Sequence, residues 1–289
     1  MRYIVRHLTR YRYSEAVTNS QHDLHLLPRE LPHQRCLSSE LEIKPTPLVC
    51  EERRDYFGNR ATHMVLGSPH SDLTVIAHSR VDVTFPAAVA CEYDLAWEAA
   101  ASQIARDRSQ PEVHEMTFPS PFVPDWQDLH RYARESFPDG QPVLKGCLDL
   151  MARVHADFTY DAKATTIATP LDEVFRKRRG VCQDFSHLMI ACLRGLGLAA
   201  RYVSGYLVTS PPPGRPRLVG ADASHAWLSV YSPRLGFVDV DPTNNVLVGD
   251  QHITLAVGRD FGDVTPLRGV VLGGGRHDMD VAVDVLPDV

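Results

Sequence analysis

Cys182 stands in RRGVCQDFSHL, residues 178–188, behind a glycine and a valine. Ahead of it Phe185, Leu188, Met189, Cys192, Leu193 and Leu196 recur at the three-four spacing of one helical face, and Gly195 with Gly197 supply the stop. The thiol therefore falls in the first turn of a helix. Unpaired backbone N–H groups and the positive end of the helix dipole favour a thiolate there, which is the setting of a nucleophile. The plainer alternative is a small apolar side chain that opens a buried helix.

A cysteine nucleophile needs a base and a group that orients the base. ASHAWLSVYSPRLGFVDVDPTNN, residues 223–245, offers both. His225–Tyr231 alternates as a strand does, SPRLG is a turn and Gly236–Asp241 is a second strand, so the segment forms a hairpin. A turn centred on Pro233 or Arg234 sets Asp241 opposite or diagonal to His225, roughly 5–8 Å away at Cβ. A carboxylate in that place accepts one imidazole N–H and holds the tautomer whose other nitrogen faces the thiol. Asp239 shares the face by parity and is the rival orienter. Asp241 is preferred because it ends the strand, ahead of a Pro-Thr turn.

The elements that must hold these residues divide the chain in two. Up to about residue 85, Tyr3–Tyr13, Cys36–Ile43, Ala61–Leu66 and Leu73–Phe85 read as strands, separated by Pro, Gly, Asn and Asp. From Ala87 helical patterns take over, in residues 93–105, 125–137 and 143–158, interrupted by TFPSPFVPDW. The boundary is placed near Pro86. This gives an N-terminal β-rich, sandwich-like domain over 1–86 and a catalytic domain over 87–289, with a core at about 141–250 and C-terminal strands over 251–289. The fold class is α+β, with a helix bearing the cysteine packed on an antiparallel sheet.

Composition excludes several functions. A net charge of −6 over 289 residues argues against a general nucleic-acid binder. MRYIVRHLTRYRY alternates apolar and basic residues, and no run approaches membrane-spanning length, so a cytoplasmic protein without a membrane partner is expected. The six cysteines have neither CxxC spacing nor the density of a disulfide framework, which fits a reducing compartment.

RRGVCQDFSHLMIACLRGLGLAARYVSGYL, then ASHAW, then GFVDVDPTNN, resembles the core of the bacterial transglutaminase-like superfamily, which carries a papain-like cysteine, histidine and aspartate. RYSEAVTNSQHDLHLLPRE and the DYFGN block at Asp55–Asn59 resemble the β domain that precedes that core, and GRDFGDVTPLRGVVLGGG resembles the closing segment. The resemblance implies Cys182 as nucleophile, His225 as base and acid, Asp241 as orienting carboxylate, and a papain-like fold. It implies acyl transfer on a peptide or protein substrate carrying an amide or isopeptide bond, and no cofactor. The backbone N–H of Cys182 is the first oxyanion donor. Trp97 and Trp126 do not align with the tryptophan that animal transglutaminases use as the second, and Tyr160 in FTYD is the candidate instead.

Other motifs weigh less. Cys182, Asp184 and His187 do not share a helical face, so no metal is expected there, and nothing resembles an EF-hand. RKRR at 176–179 either favours the thiolate, attracts acidic substrates or is a solvated turn. TSPPPGRPRLVGAD, residues 209–222, is a substrate-facing loop or an exposed linker. The polar flanks RKRR, GADASH and DPTNN offer no apolar amine channel, so hydrolysis is expected over cross-linking. The competing functions are a true protein-glutamine transamidase and a non-catalytic interaction module on the same fold.

Overall fold

A computed structural model describes residues 1–85, 94–209 and 223–288. The N-terminal unit begins with β1 (Arg2–Leu24), followed by β2 (Gln34–Lys44), β3 (Val49–Arg54), β4 (Arg60–Leu66) and β5 (His70–Val83). β1 runs on past Tyr13, where the sequence pattern fades into Ser14 and Glu15, because a register irregularity between Arg12 and Val17 absorbs the exposed stretch. Its first half pairs with β5 and its second half with β4, so the order is β2-β5-β1-β4-β3. Leu24, Met64, Leu66, Leu73 and Val75 from both halves share one core. β3, with the sequence VCEERR, escapes the sequence reading because it is an edge strand whose residues are almost all exposed.

Helices α1 (Trp97–Arg106), α2 (Pro111–Glu115), α3 (Gln127–Arg134) and α4 (Val143–Asp157) come next, close to the sequence windows. Two-residue strands β6 (Thr159–Tyr160) and β7 (Arg179–Gly180) flank α5 (Leu171–Lys177) and lead into α6 (Cys182–Gly195). Strands β8 (Ala200–Leu207), β9 (Ala223–Ser232), β10 (Gly236–Asp241), β11 (Val246–Leu247) and β12 (His252–Gly258) form an antiparallel sheet in the order β11-β10-β9-β8-β12. After α7 (Phe261–Val264) the chain ends in β13 (Leu267–Gly273) and β14 (His277–Pro287).

The 3.6-residue pattern of α6 suggests one apolar face, but every residue from Asp184 to Arg194 is buried. The helix lies between the sheet and α3, α4 and α5, packing Leu188 and Cys192 among Tyr202, Leu228, Leu150 and Leu129. Its polar residues are paired internally. Arg194 donates to the carbonyls of Phe118, Ala200 and Arg259, and Ser186 donates to the Cys182 carbonyl.

The other face of this sheet meets the N-terminal unit, where Tyr3, Val5 and Val83 pack on Tyr206, Ile253 and Leu255. β12 is an edge strand, and unpaired edge groups need partners. Two amide side chains supply them. Gln34 accepts from Thr254 N (2.7 Å) and donates to Thr254 O (2.7 Å), and Asn59 does the same with Val257 (2.8 Å each way). Both imitate a neighbouring strand.

One boundary needs correction. The C-terminal strands do not stay with the catalytic unit as 87–289 implies: β12 completes the core sheet, but β13 and β14 pair with β1. The cause is that β1 is long enough to expose a second edge along each half, and β14 alone pairs over eleven positions, from Tyr3 to Tyr13. The break near Pro86 lies outside the described residues. Among the described residues no helix is long and apolar enough to cross a membrane.

Candidate active site

Gly180 explains how the chain enters α6. A Cβ at this glycine would lie 2.7 Å from Asp184 Oδ2 and 2.9 Å from Asp184 Cβ. The space it leaves lets Asp184 fold back from the first turn, where Oδ2 accepts the Val181 N–H (2.8 Å) and the Thr165 hydroxyl (2.7 Å). This is the carboxylate half of a capping box. Burial pushes the Asp184 carboxyl up, and the two donors work against that rise. The first intrahelical bond runs from Phe185 N to Val181 O, so the Cys182 N–H precedes the helical ladder. Cys182 itself is half-buried.

The hairpin supplies the rest. β9 and β10 pair Ser229 with Asp239 and Leu228 with Val240, a register centred on Arg234 that makes Asp241 diagonal to His225. His225 Nε2 donates to Asp241 Oδ2 at 2.8 Å. The ring's other nitrogen, Nδ1, is left for Cys182, which lies close enough to act on the imidazole. Burial opposes a charge on His225, but the hydrogen bonds to Asp241 and Cys182, together with their negative charges, outweigh it and push the imidazole up to about 10. Asp239, the rival, turns to Trp227 Nε1 (3.1 Å) and to the Ser229 hydroxyl. The structure thus brings Cys182, His225 and Asp241 together and sets Asp239 apart.

Asp241 is fully buried and accepts five donors. Oδ1 takes the N–H groups of Thr243 (3.0 Å) and Asn244 (3.2 Å). Oδ2 takes His225, Asn244 Nδ2 (2.7 Å) and His252 Nε2 (3.2 Å). Burial alone would raise its pKa; the His225 and His252 hydrogen bonds, the His225 charge and Asn244 reverse that and hold it well below the usual carboxylate range. Sequence reasoning missed His252, a lone histidine at the start of a strand. β12 lies three places from β10 in the sheet, so nothing in the local pattern aims this ring at Asp241.

His225, Asp241 and His252 present ligand atoms within 4.8 Å of one another. The hydrogen bonds argue against a cation among them. Gly249 N–H donates to His252 Nδ1 (3.4 Å), which puts the His252 proton on Nε2, the nitrogen that faces the others. Cys182, Asp184 and His187 diverge as well. His187, pushed down to about 3 by burial, accepts the Phe261 N–H (3.1 Å) and stacks on Phe122.

Tyr160 pairs with Gly180 across β6 and β7, two residues from the thiol, and its half-exposed phenol is pushed up by burial and by the Cys182 charge. Trp97 is buried away from the site, with Nε1 on Pro138 O (3.1 Å). Trp126 lines a cavity of about 450 Å³ beside the first turn of α6, with Phe122, Ile167, Leu171, Gln183 and His187. The four basic residues of RKRR each have a neighbour. Arg178 lies over the rings of Phe175 (4.2 Å) and Phe158 (4.7 Å), while Arg176, Lys177 and Arg179 face Asp172, Glu173 and Asp161. Residues 210–222 of the Pro-rich connection lie outside the described residues.

Residues 3–82 match the family described as the bacterial transglutaminase-like N-terminal region, and residues 131–242 match the transglutaminase-like superfamily. An uncharacterised protein of Mycobacterium tuberculosis is 41% identical over 303 aligned residues, covering 99% of this chain and 93% of its own. A Pseudomonas aeruginosa protein-glutamine gamma-glutamyltransferase is 36% identical over 126 residues, 37% of this chain and 19% of that one. The solved structure of a candidate cysteine protease from Cytophaga hutchinsonii superposes with a TM-score of 0.80 at 19% identity, covering 99% of this chain and 90% of that one, a likeness of fold.

Proposed function

Because the chain belongs to the transglutaminase-like superfamily, we propose that it is a thiol acyl-transfer enzyme acting on an amide, peptide or isopeptide bond, and that it hydrolyses more readily than it cross-links. The supporting observation is the His225–Asp241 hydrogen bond beside Cys182, whose charge acts on the same imidazole from a helix N-terminus.

The Cys182 proton passes to His225, whose raised pKa retains it, and Asp241 stabilises the imidazolium. The thiolate sulfur attacks the carbonyl carbon, a C–S bond forms, and the carbonyl electron pair moves onto oxygen. The Cys182 N–H, aimed by the helix start, donates to that oxyanion, a contact worth about 3 kcal/mol in related chemistry. The Tyr160 hydroxyl is our proposal for the second donor. As the intermediate collapses, the C–N bond breaks and the imidazolium protonates the departing amine. Water then gives a proton to His225 and attacks the thioester, expelling the thiolate.

Hydrolysis is favoured because positioning an amine over water requires an acceptor site of large effective molarity. Polar groups stand directly on the triad's carboxylate, the Thr243 N–H and the exposed Asn244 amide. The name of the Pseudomonas relative favours the second reading, transamidation of protein glutamine. A reactive peptide amide or ester offered with a millimolar primary amine separates the two. Free acid as the main product in mass spectrometry is expected, and a predominant amine adduct would establish transamidation. The five described cysteines are all free, which fits the reducing, cytoplasmic setting we propose.

A further inference from the structure

His252 is the buried titratable group at the site to which the acyl-transfer mechanism gives no task. It is 4% exposed and sits at the first position of β12, with Trp227 edge-on at 5.2 Å. Its tautomer is fixed from behind: the Gly249 N–H occupies Nδ1 and leaves the proton on Nε2, directed at Asp241 Oδ2. Two imidazoles therefore donate to one carboxylate oxygen, His225 at 2.8 Å and His252 at 3.2 Å.

We infer that His252 is a positioning residue for the proposed acyl transfer, fixing the plane of the Asp241 carboxylate so that Oδ2 meets His225. The inference rests on the acyl-transfer reading of this site. The backbone donors of Thr243 and Asn244 anchor Oδ1 alone, so the carboxylate is free to turn about the line through Oδ1 unless Oδ2 is held as well. Asn244 Nδ2 holds it from the turn after β10, and His252 holds it from β12. β12 is pinned in turn by Gln34 and Asn59 on its outer edge. The N-terminal β unit thereby has a route to the triad that uses no contact with substrate.

His252 acts also through charge. The titratable groups around the His225–Asp241 pair are Cys182 from α6, Asp239 from the same strand, His252 from β12, and His155 of α4, which bonds the Thr243 carbonyl at 3.0 Å. A donor on Oδ2 draws off part of the carboxylate charge that His225 would otherwise feel. Removing it leaves more charge for the imidazolium and strengthens its hold on the proton.

The experiment compares His252→Ala and His252→Gln with the wild-type chain. The amide nitrogen of glutamine reaches about where imidazole Nε2 stood, so the Gln variant restores the donor. The readouts are kcat/KM against pH and the rate of Cys182 alkylation, normalised to the folded fraction. The Ala variant is expected to lose about tenfold or more in kcat/KM, with its alkaline limb moved upward by a few tenths of a pH unit; the Gln variant recovers most of both. Wild-type kcat/KM and limbs in the Ala variant overturn the inference. Equal damage in Ala and Gln, with both limbs unmoved, makes His252 a packing residue and overturns it too. If the wild-type chain shows neither turnover nor a fast Cys182, the acyl-transfer reading fails first.

Discussion

Gly180→Ala tests how the sequence builds its nucleophile. The added methyl would lie 2.7, 2.9 and 3.1 Å from Asp184 Oδ2, Cβ and Cγ; Oδ2 ends its side chain and can swing away, but Cβ is fixed to the helix backbone. Asp184 must leave, and its bonds to Val181 N and the Thr165 hydroxyl go with it. A hydrogen bond to a charged group contributes about 1.5–3 kcal/mol net, so losing both costs roughly 3 kcal/mol or more. At about 2 °C per kcal/mol for a chain of this size, Tm should fall by roughly 6 °C. The loss is local to the turn that carries Cys182, and a displacement of about 1 Å there is enough to slow attack about 10²-fold. Thermal unfolding followed by circular dichroism and iodoacetamide labelling of Cys182 read the two effects. Asp184→Asn, which keeps an acceptor oxygen, should fall between wild type and Gly180→Ala. Unchanged Tm and unchanged labelling in Gly180→Ala would refute the reasoning.

Asp241→Asn should lower kcat by up to about 10⁴ yet leave turnover measurable, since the carboxylate orients and does not carry the proton; Asp239→Asn, which loosens Trp227 and Ser229, should lower Tm and keep the fast thiol. Steady-state kinetics of the two variants read this, and a dead Asp239→Asn beside a normal Asp241→Asn would reverse the assignment. His225 is held above its ordinary value, so its contribution to stability is complete below about pH 6.5 and is lost as pH rises through about 10. The stability advantage of wild type over Asp241→Asn, measured by urea unfolding, should accordingly shrink across that window, and a constant difference would contradict it. Asn59→Ala should cost about 2 kcal/mol or more, because Val257 N–H and C=O both lose their partner at a buried edge. A loss under 0.5 kcal/mol in the same assay would show that the edge is held otherwise.

Much of this site is legible in the residues because it is local. The helix start at Cys182 and the even spacing of His225 and Asp241 on one hairpin are set by neighbours in sequence, and the register follows from the three-residue turn between Ser232 and Gly236. What the sequence hides is what distant strands contribute. His252 reaches Asp241 from β12, three places from β10 in the sheet order. β13 and β14 read as additions to the catalytic sheet because alternation reveals a strand but not its partner, and the free edges of β1 lie more than 240 residues earlier. The polar residues of α6 are quiet in sequence for a similar reason: Arg194 and His187 look solvent-facing until the carbonyls and N–H groups that satisfy them arrive from loops 118–120 and 259–261.

The central claim is that Cys182 is a nucleophile made by its surroundings, and its alkylation at neutral pH tests that most directly. Limited iodoacetamide treatment, with peptide mass spectrometry resolving all six cysteines, gives the individual rates in wild type and in His225→Ala. Burial pushes Cys147 up to about 12 and Cys192 up as well, and Cys50 is raised by the same cause, so these three should react slowly. Cys182 should be modified at least ten times faster than any other cysteine, and His225→Ala should abolish that lead. Equal rates across the six, or a fast Cys182 indifferent to His225, would contradict the account.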